Sequence, residues 1–179
     1  MEDTRLVERA QGGDALAYGE LVERHQARLY ATLRKLTADS DLAMDLTQDA
    51  FVRGWQRLGE FERRSAFSTW LYRIAVRLAY DALERERRMP VADVQRDVPD
   101  PAPSPERRAE RRSEAQALER RIAELPDMQR AVVVLRTYDD LPYREIAAIL
   151  GTTEGSARVS YHHAIAKLRD RYLEEASAE

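Results

Sequence analysis

The sequence of 179 residues contains no cysteine, which excludes a disulfide framework, a cysteine nucleophile and any thiolate metal site. It also lacks long apolar runs, since no stretch approaches the ~20 residues that a membrane-spanning helix needs. No signal-peptide pattern is present at the N-terminus. We therefore expect a soluble, cytoplasmic protein with no membrane insertion.

An excess of charge of one sign is absent too, because the formal net charge is only -3. That total argues against bulk binding to nucleic acid, but residues 51–88 carry nine basic and five acidic side chains. Six of the thirteen aromatic residues lie within 51–72. Rings interleaved with arginines are typical of an aromatic helical core with solvated cations, or of a surface that binds phosphates and unpaired bases.

Proline is concentrated in one place, with five of the seven prolines at positions 90–105. Neither a helical period nor strand alternation is present there, so we expect a semi-extended linker over residues 89–104. Both flanks have helical periodicity, and no alternating strand segment is found. The sequence therefore predicts an all-α protein of two small helical domains, residues 1–88 and 105–179.

Caps and breakers set the expected helix boundaries. In the first domain we expect a short helix before Gly12, then helices over 15–37 with Asp14 as N-cap, from Ser40 or Asp41 to about 58, and over about 67–88. In the second domain Ser104-Pro105 has the form of a cap and helix start. Further helices are expected over 126–138, 143–150 and from a Thr153 cap to about 174.

The last two predicted helices have the layout of a helix-turn-helix. Apolar residues at 157, 161, 164 and 168 recur at helical spacing after the turn at Gly151-Thr152. In this motif the second helix enters the DNA major groove, although a plain helical hairpin has the same pattern. The neighbouring His162 and His163 point about 100° apart and have no third ligand in view, so we expect no metal site.

Six segments carry the most specific patterns of the chain. They are YGELVERH (18–25), DLTQDAF (45–51), FSTWLYRIA (67–75), LP (125–126), LPYREIA (141–147) and residues 155–168. Together they resemble the extracytoplasmic-function (ECF) group of bacterial RNA polymerase sigma factors, within the sigma-70 family. Two matching domains in the right order make chance agreement an unsatisfactory explanation.

The resemblance implies that residues 1–88 form sigma region 2 and residues 105–179 form sigma region 4. Region 2 would bind the clamp helices of the polymerase largest subunit, then read and melt the -10 element. The helix-turn-helix of region 4 would read the -35 element, while its other helices meet the polymerase flap. The chain would thus be a non-enzymatic factor for promoter-specific transcription initiation in a stress response. It would need no cofactor and would be held inactive by an anti-sigma factor.

The same resemblance implies which side chains do this work. The expected polymerase-binding residues are Asp45, Gln48, Asp49, Arg53 and Gln56. The expected contacts to the -10 strand are Phe61, Arg63, Arg64, Ser65, Phe67, Ser68, Trp70, Arg73, Arg77 and Tyr80. The expected contacts to the -35 duplex are Thr153, Gly155, Ser156, Arg158, Val159, His162 and His163.

Departures from the family pattern leave the base preference open. Family members often have Asn where this chain has Arg77, at a position used there to contact a -10 base. Family members usually have Ser and then Arg where this chain has Val159 and Ser160, and Arg where it has Ile165. Because two basic groups are missing, we expect this recognition helix to bind DNA with less help from charge.

Three other classes of function would each need a different feature of the chain. A helix-turn-helix regulator with a fused helical sensor would need a ligand cavity or dimer face in residues 1–88. An enzyme acting on nucleic acid would need a carboxylate or metal centre, and Asp45 and Asp49 have no partner that completes one. A purely structural adaptor would not stimulate transcription.

Overall fold

The computed structural model describes residues 2–88 and 107–176, and within these ranges the chain is helical and has no strand. The elements are α1 Glu2–Gln11, α2 Ala15–Thr37, α3 Ser40–Gln56, a 3-10 helix Leu58–Glu60, α4 Phe67–Arg88, α5 Arg107–Ala123, α6 Asp127–Thr137, α7 Tyr143–Leu150 and α8 Glu154–Ala176. The all-α prediction is confirmed. The linker predicted for 89–104 and the Ser104-Pro105 helix start lie outside the described residues.

Helix boundaries follow the caps that the sequence offers. The Asp14 carboxylate accepts hydrogen bonds from the backbone N–H groups of Leu16 and Ala17, as predicted for an N-cap. The N-cap of α3, expected at Ser40 or Asp41, was predicted wrongly, because Asp39 is the cap and the helix begins at Ser40. Asp39 has extended backbone angles, and its side chain accepts from the N–H of Leu42. Helix α3 also ends at Gln56, two residues early, since the chain tightens into the 3-10 helix.

Helices α1 to α4 form the N-terminal bundle, in which α2 is central. Its buried stripe includes Leu21, Leu29, Leu33 and Leu36, none more than 1% exposed. These positions repeat at three, four and eight residues, which places them on one side of α2.

Helices α5 to α8 form the C-terminal bundle, built around α6, whose middle has no solvent-facing side. Residues 130–135 of α6 are all buried in an unbroken run. Gly151 closes α7 with a left-handed backbone (φ 66°), a conformation that glycine adopts without steric cost. Thr153 accepts the N–H of Ser156 and so caps α8, as the sequence predicted.

The two bundles pack against each other. Helix α6 lies against α2, and α7 lies against α4, so that one apolar core runs through both bundles. Tyr72 of α4 is buried at this contact, where its hydroxyl donates to the carboxylate of Asp139 at 3.1 Å.

Candidate nucleic-acid interfaces

The outer face of α3 has the exposure that a docking surface needs. Asp45, Gln48, Asp49, Arg53 and Gln56 are all exposed. A guanidinium nitrogen of Arg53 lies 3.8 Å from a carboxylate oxygen of Asp49, so the two side chains form an ion pair between successive turns of α3.

Apolar side chains extend this face, and the sequence reasoning missed them. Met44 is 51% exposed and Val52 is 53% exposed. Trp55 is 39% exposed, with its ring centre 5.0 Å from that of Tyr18. The helical spacing of Val52 from Gln48 and Asp49 was a signal that could have placed it there. Exposed apolar groups among charges are typical of protein-binding surfaces.

The loop before α4 holds the next predicted site residues. Arg63 has a left-handed backbone (φ 58°), which is uncommon for a residue with a side chain, and it pairs with Glu8 of α1. Arg64 and Ser65 are exposed. Phe61 and Phe67, in contrast, are only 5% and 4% exposed, so their rings support the loop from below.

A cavity of about 470 Å³ opens beside this loop. One wall comes from α1 through Asp3, Thr4 and Val7, and Arg24 of α2 adds another side. Asp3 is anchored there, since its carboxylate lies 2.8 Å from Nε2 of His25. The contribution of α1 was not anticipated, because its residues belong to none of the quoted patterns.

Among the α4 residues predicted to contact the -10 strand, some side chains are exposed and others are hydrogen-bonded to the C-terminal bundle. Arg77 is exposed. Arg73 donates from Nε to the carbonyl oxygen of Ala148 at 3.1 Å, and the Tyr80 hydroxyl donates to that of Asp127 at 3.3 Å. Burial raises the pKa of Tyr80 well above its usual value, so the phenol remains a donor.

Two further α4 residues of this set are half-buried. Trp70 packs its ring 5.0 Å from that of Phe61 and 5.9 Å from that of Phe67. Ser68 lines a small cavity of about 90 Å³ beside Leu141 of the C-terminal bundle. Neither side chain therefore faces open solvent in full.

The predicted duplex-reading face of α8 is open. Its seven residues, Thr153, Gly155, Ser156, Arg158, Val159, His162 and His163, are all exposed. Arg158 is held by an ion pair with Glu154 at 2.9 Å and by the ring of Tyr143, 5.3 Å from its guanidinium carbon. Val159 is 53% exposed and Ile165 is 40% exposed, so this face is less basic than its position suggests.

In the part of the chain that the structure describes, no group of three or more His, Asp or Glu side chains could hold a metal ion. Among those same residues, no helix is both long and apolar enough to cross a membrane.

Comparisons with known proteins match both bundles. The family model for sigma-70 region 2 matches residues 21–89, and the model for sigma-70 region 4 matches residues 115–168. The chain is 34% identical over 172 residues to the RNA polymerase sigma-H factor of Pseudomonas aeruginosa, covering 88% of this chain and 86% of that protein. It is 35% identical over 172 residues to the ECF RNA polymerase sigma-E factor of Escherichia coli K12, covering 88% and 87%.

Solved structures with the same fold are also found. CnrH, solved in complex with the cytosolic domain of CnrY, superposes with a TM-score of 0.74 at 27% identity, covering 98% of this chain and 99% of that one. The sigma factor RpoE of Bartonella quintana, solved with the anti-sigma factor NepR, has a TM-score of 0.69 at 22% identity, with 86% and 94% covered. At 22% identity, the likeness to RpoE shows the fold alone.

Proposed function

The chain belongs to the ECF group of the sigma-70 family of RNA polymerase sigma factors, and on this premise we propose how its surfaces divide the work of promoter recognition. As a sigma factor it binds core RNA polymerase and directs promoter-specific initiation. It is not an enzyme, because the polymerase performs the chemistry. The observation that carries the division is that the α3 face and the α8 face are exposed on different bundles.

The α3 face binds the clamp helices of the polymerase largest subunit. Its five polar residues supply complementary charge and hydrogen bonds, which favour a correct partner over a wrong one. Met44 and Val52 add apolar area that becomes buried on binding. The mixed character of this face supports a protein partner more than a nucleic acid.

The N-terminal bundle, residues 1–88, reads the melted -10 strand. Arg63 and Arg64 contact phosphates, and the cavity beside their loop receives an unstacked base. Phe61 and Phe67 shape the floor of the loop, while Arg73, Arg77 and Tyr80 line the outer face of α4. Ser65, Ser68 and Trp70 complete this surface. Arg77 can bind phosphate or a guanine edge, so the family base preference does not transfer.

The C-terminal bundle, within residues 105–179, reads the -35 duplex through the open face of α8. Arg158 is preoriented by Glu154 and Tyr143 and makes the main base or phosphate contact. Val159 offers a methyl-sized apolar contact, and His162 and His163 donate or accept hydrogen bonds. The remaining helices of this bundle meet the polymerase flap.

Control by a second protein completes the proposal. An anti-sigma factor covers the polymerase-facing and DNA-facing surfaces and keeps the chain inactive. Support comes from CnrH, which is similar over nearly its whole length and was solved with the cytosolic domain of CnrY bound. Because the polymerase is cytoplasmic, the chain acts in the cytoplasm.

Run-off transcription from a genomic fragment library tests this function. Purified chain plus bacterial core polymerase should co-purify and give discrete transcripts, whose start sites report the promoter sequences. Core polymerase alone is the control and should give none of these transcripts. A chain that binds DNA but neither co-purifies with core polymerase nor yields transcripts would instead be a helix-turn-helix regulator, and the proposal would fail.

A further inference from the structure

Val159 of α8 is an apolar side chain that the fold does not use. It is 53% exposed and lies outside the apolar core of the bundles. A β-branched residue is also a poorer helix former than alanine, so helix formation does not favour valine at this position. Val159 is therefore available for a contact outside the chain.

The direction of Val159 places it at the middle of the outer face of α8. Three buried residues, Ala157, Ala164 and Leu168, mark the inner side of this helix. At 100° per residue, Val159 points about 140–180° away from them. In a duplex complex, Val159 would therefore be among the side chains nearest to the base edges.

The positions one helical turn from Val159 leave it accessible. They are Gly155, Ser156, His162 and His163, which are all exposed and include no Asp, Glu, Lys or Arg. No atom lies within 4 Å of a Cβ built at Gly155, so nothing covers Val159 from the preceding turn. The apolar area at the centre of this face is that of one side chain, which is small for a protein interface.

Arg158, the charged residue of the predicted duplex-reading set, is held to one side of this centre. Its guanidinium pairs with the carboxylate of Glu154 at 2.9 Å and lies 5.3 Å from the ring of Tyr143. Glu154 points about 140° away from Val159 around the helix axis. The space in front of Val159 is therefore not occupied by the cation.

The chemistry of the major groove gives an apolar side chain one specific partner. Base edges there present hydrogen-bond donors and acceptors, and thymine adds its C5-methyl group. The side chain of valine has neither a donor nor an acceptor, so the methyl group is the feature by which it can tell one base from another.

We propose that Val159 reads a thymine of the -35 duplex through its C5-methyl group, so that an A·T pair lies opposite the middle of α8. This rests on the proposed role of α8 in reading the -35 duplex. Burial of one methyl-sized group favours thymine over uracil by about fourfold in affinity. Cytosine lacks the methyl group, and 5-methylcytosine restores it.

Val159→Ser tests the contact, and Ile165→Ser is its matched control. Serine and valine have similar helix propensities, so Val159→Ser should keep the fold, which circular dichroism would check. Ile165 is also apolar and 40% exposed on α8, but it points about 120° away from Val159.

The DNA probes come from a promoter that the run-off experiment identifies. Each thymine of its -35 element is replaced, one at a time, by deoxyuridine in a fluorescein-labelled duplex. Binding of the holoenzyme is measured by fluorescence anisotropy. A duplex with a scrambled -35 element is included, as is one with 5-methylcytosine or cytosine at the sensitive position.

The parent and Ile165→Ser should bind about fourfold more weakly when one particular thymine loses its methyl group. In Val159→Ser this ratio should fall to about one, because the partner of the methyl group is gone. The parent should also prefer 5-methylcytosine to cytosine at that position. Since no phosphate is involved, the ratio should be the same at low and high salt.

Three results would overturn the proposal. They are an element with no thymine sensitive to deoxyuridine in the parent, a sensitivity that Val159→Ser retains, and a sensitivity that Ile165→Ser also abolishes. If the scrambled element still weakens binding in these cases, the proposed role of α8 stands and the assignment of Val159 alone fails. Equal binding of the scrambled and natural elements would overturn both.

Discussion

Helices α4 and α8 are the two helices that we propose to contact DNA, and their surroundings differ. Helix α4 is covered on its inner side by its own bundle and on part of its outer side by α7. Helix α8 is buried along a single stripe and leaves its other side open. Both helices carry arginines, so composition does not distinguish them. The difference teaches that packing between the bundles covers part of α4 but leaves the outer face of α8 open.

The bonds made by the arginines follow the same division. Arg73 of α4 donates across the bundle contact, to a residue 75 positions away. Arg158 of α8 pairs with Glu154 of its own helix, in an exposed ion pair of the kind worth about 0.3–0.5 kcal/mol. Freeing Arg158 for DNA therefore costs little, whereas freeing Arg73 breaks a hydrogen bond between the bundles.

We expect the largest effect from substitutions on the α3 face. This face lies on the N-terminal bundle but is exposed like the outer face of α8. Reversing both charges, with Asp49→Arg and Arg53→Glu together, should weaken core polymerase binding by about 3 kcal/mol, or on the order of 100-fold. The helical circular dichroism signal should be unchanged. The matched control reverses the exposed pair Arg57 and Glu60, 3.0 Å apart and outside the proposed site. Equal affinities for both double variants would refute this docking face.

Arg158→Ala should weaken binding of the holoenzyme to -35 duplex by about 1–3 kcal/mol. If Arg158 reads a base, the loss should appear on the cognate sequence alone. If it contacts phosphate, the loss should be similar on every sequence, with a smaller salt dependence. Arg169→Ala, an exposed arginine late in α8, is the control, and duplex anisotropy is the measurement. An equal effect of both variants would mean that the start of α8 has no special role.

Gly54→Ala should destabilise the packed N-terminal bundle by about 1–2 kcal/mol. A Cβ at Gly54 would lie 2.7 Å from the Tyr18 hydroxyl, which donates to the Phe51 carbonyl at 2.6 Å. One of these groups would have to move in a crowded interior. Urea unfolding followed by circular dichroism would measure the change, and an unaltered midpoint would show that this core is less tightly packed than described.

Gly155→Ala is the opposite substitution, with the smallest expected effect. No atom lies within 4 Å of a Cβ built at Gly155 on the open face of α8. Alanine there should stabilise the free chain by about 0.5–1 kcal/mol, because it favours helix and restricts the unfolded chain. The same urea experiment applies. Destabilisation would indicate that the start of α8 is covered by something other than solvent.

Local sequence signals predicted most of the helices. The boundaries of α2, α4 and α7 follow from apolar spacing and from the punctuation at Asp14 and Gly151, because these act within a few residues. The same periodicity placed the exposed residues of α3 and α8 correctly on outward faces. Missing Asp39 as a cap was a local error, since several capping residues stand in a row.

The contacts of the buried Asp139 with Arg28, Thr32 and Tyr72 could not be predicted in this way. Asp139 bonds to residues 67 to 111 positions away, and helical period carries no information at that separation. A Tyr-Asp-Asp sequence between two helices has the appearance of an exposed turn. The α1 wall of the loop cavity was missed for a related reason, because its side chains meet the loop only after the bundle has formed.

The distance between spin labels on cysteines introduced at the exposed positions Asp81 of α4 and Arg144 of α7, measured with and without core polymerase, tests the contrast between α4 and α8 most directly. The account predicts a short distance in the free chain and a longer one in a holoenzyme that transcribes. A holoenzyme that transcribes while the distance stays short would contradict it, because α4 would then read the strand with its outer face still covered.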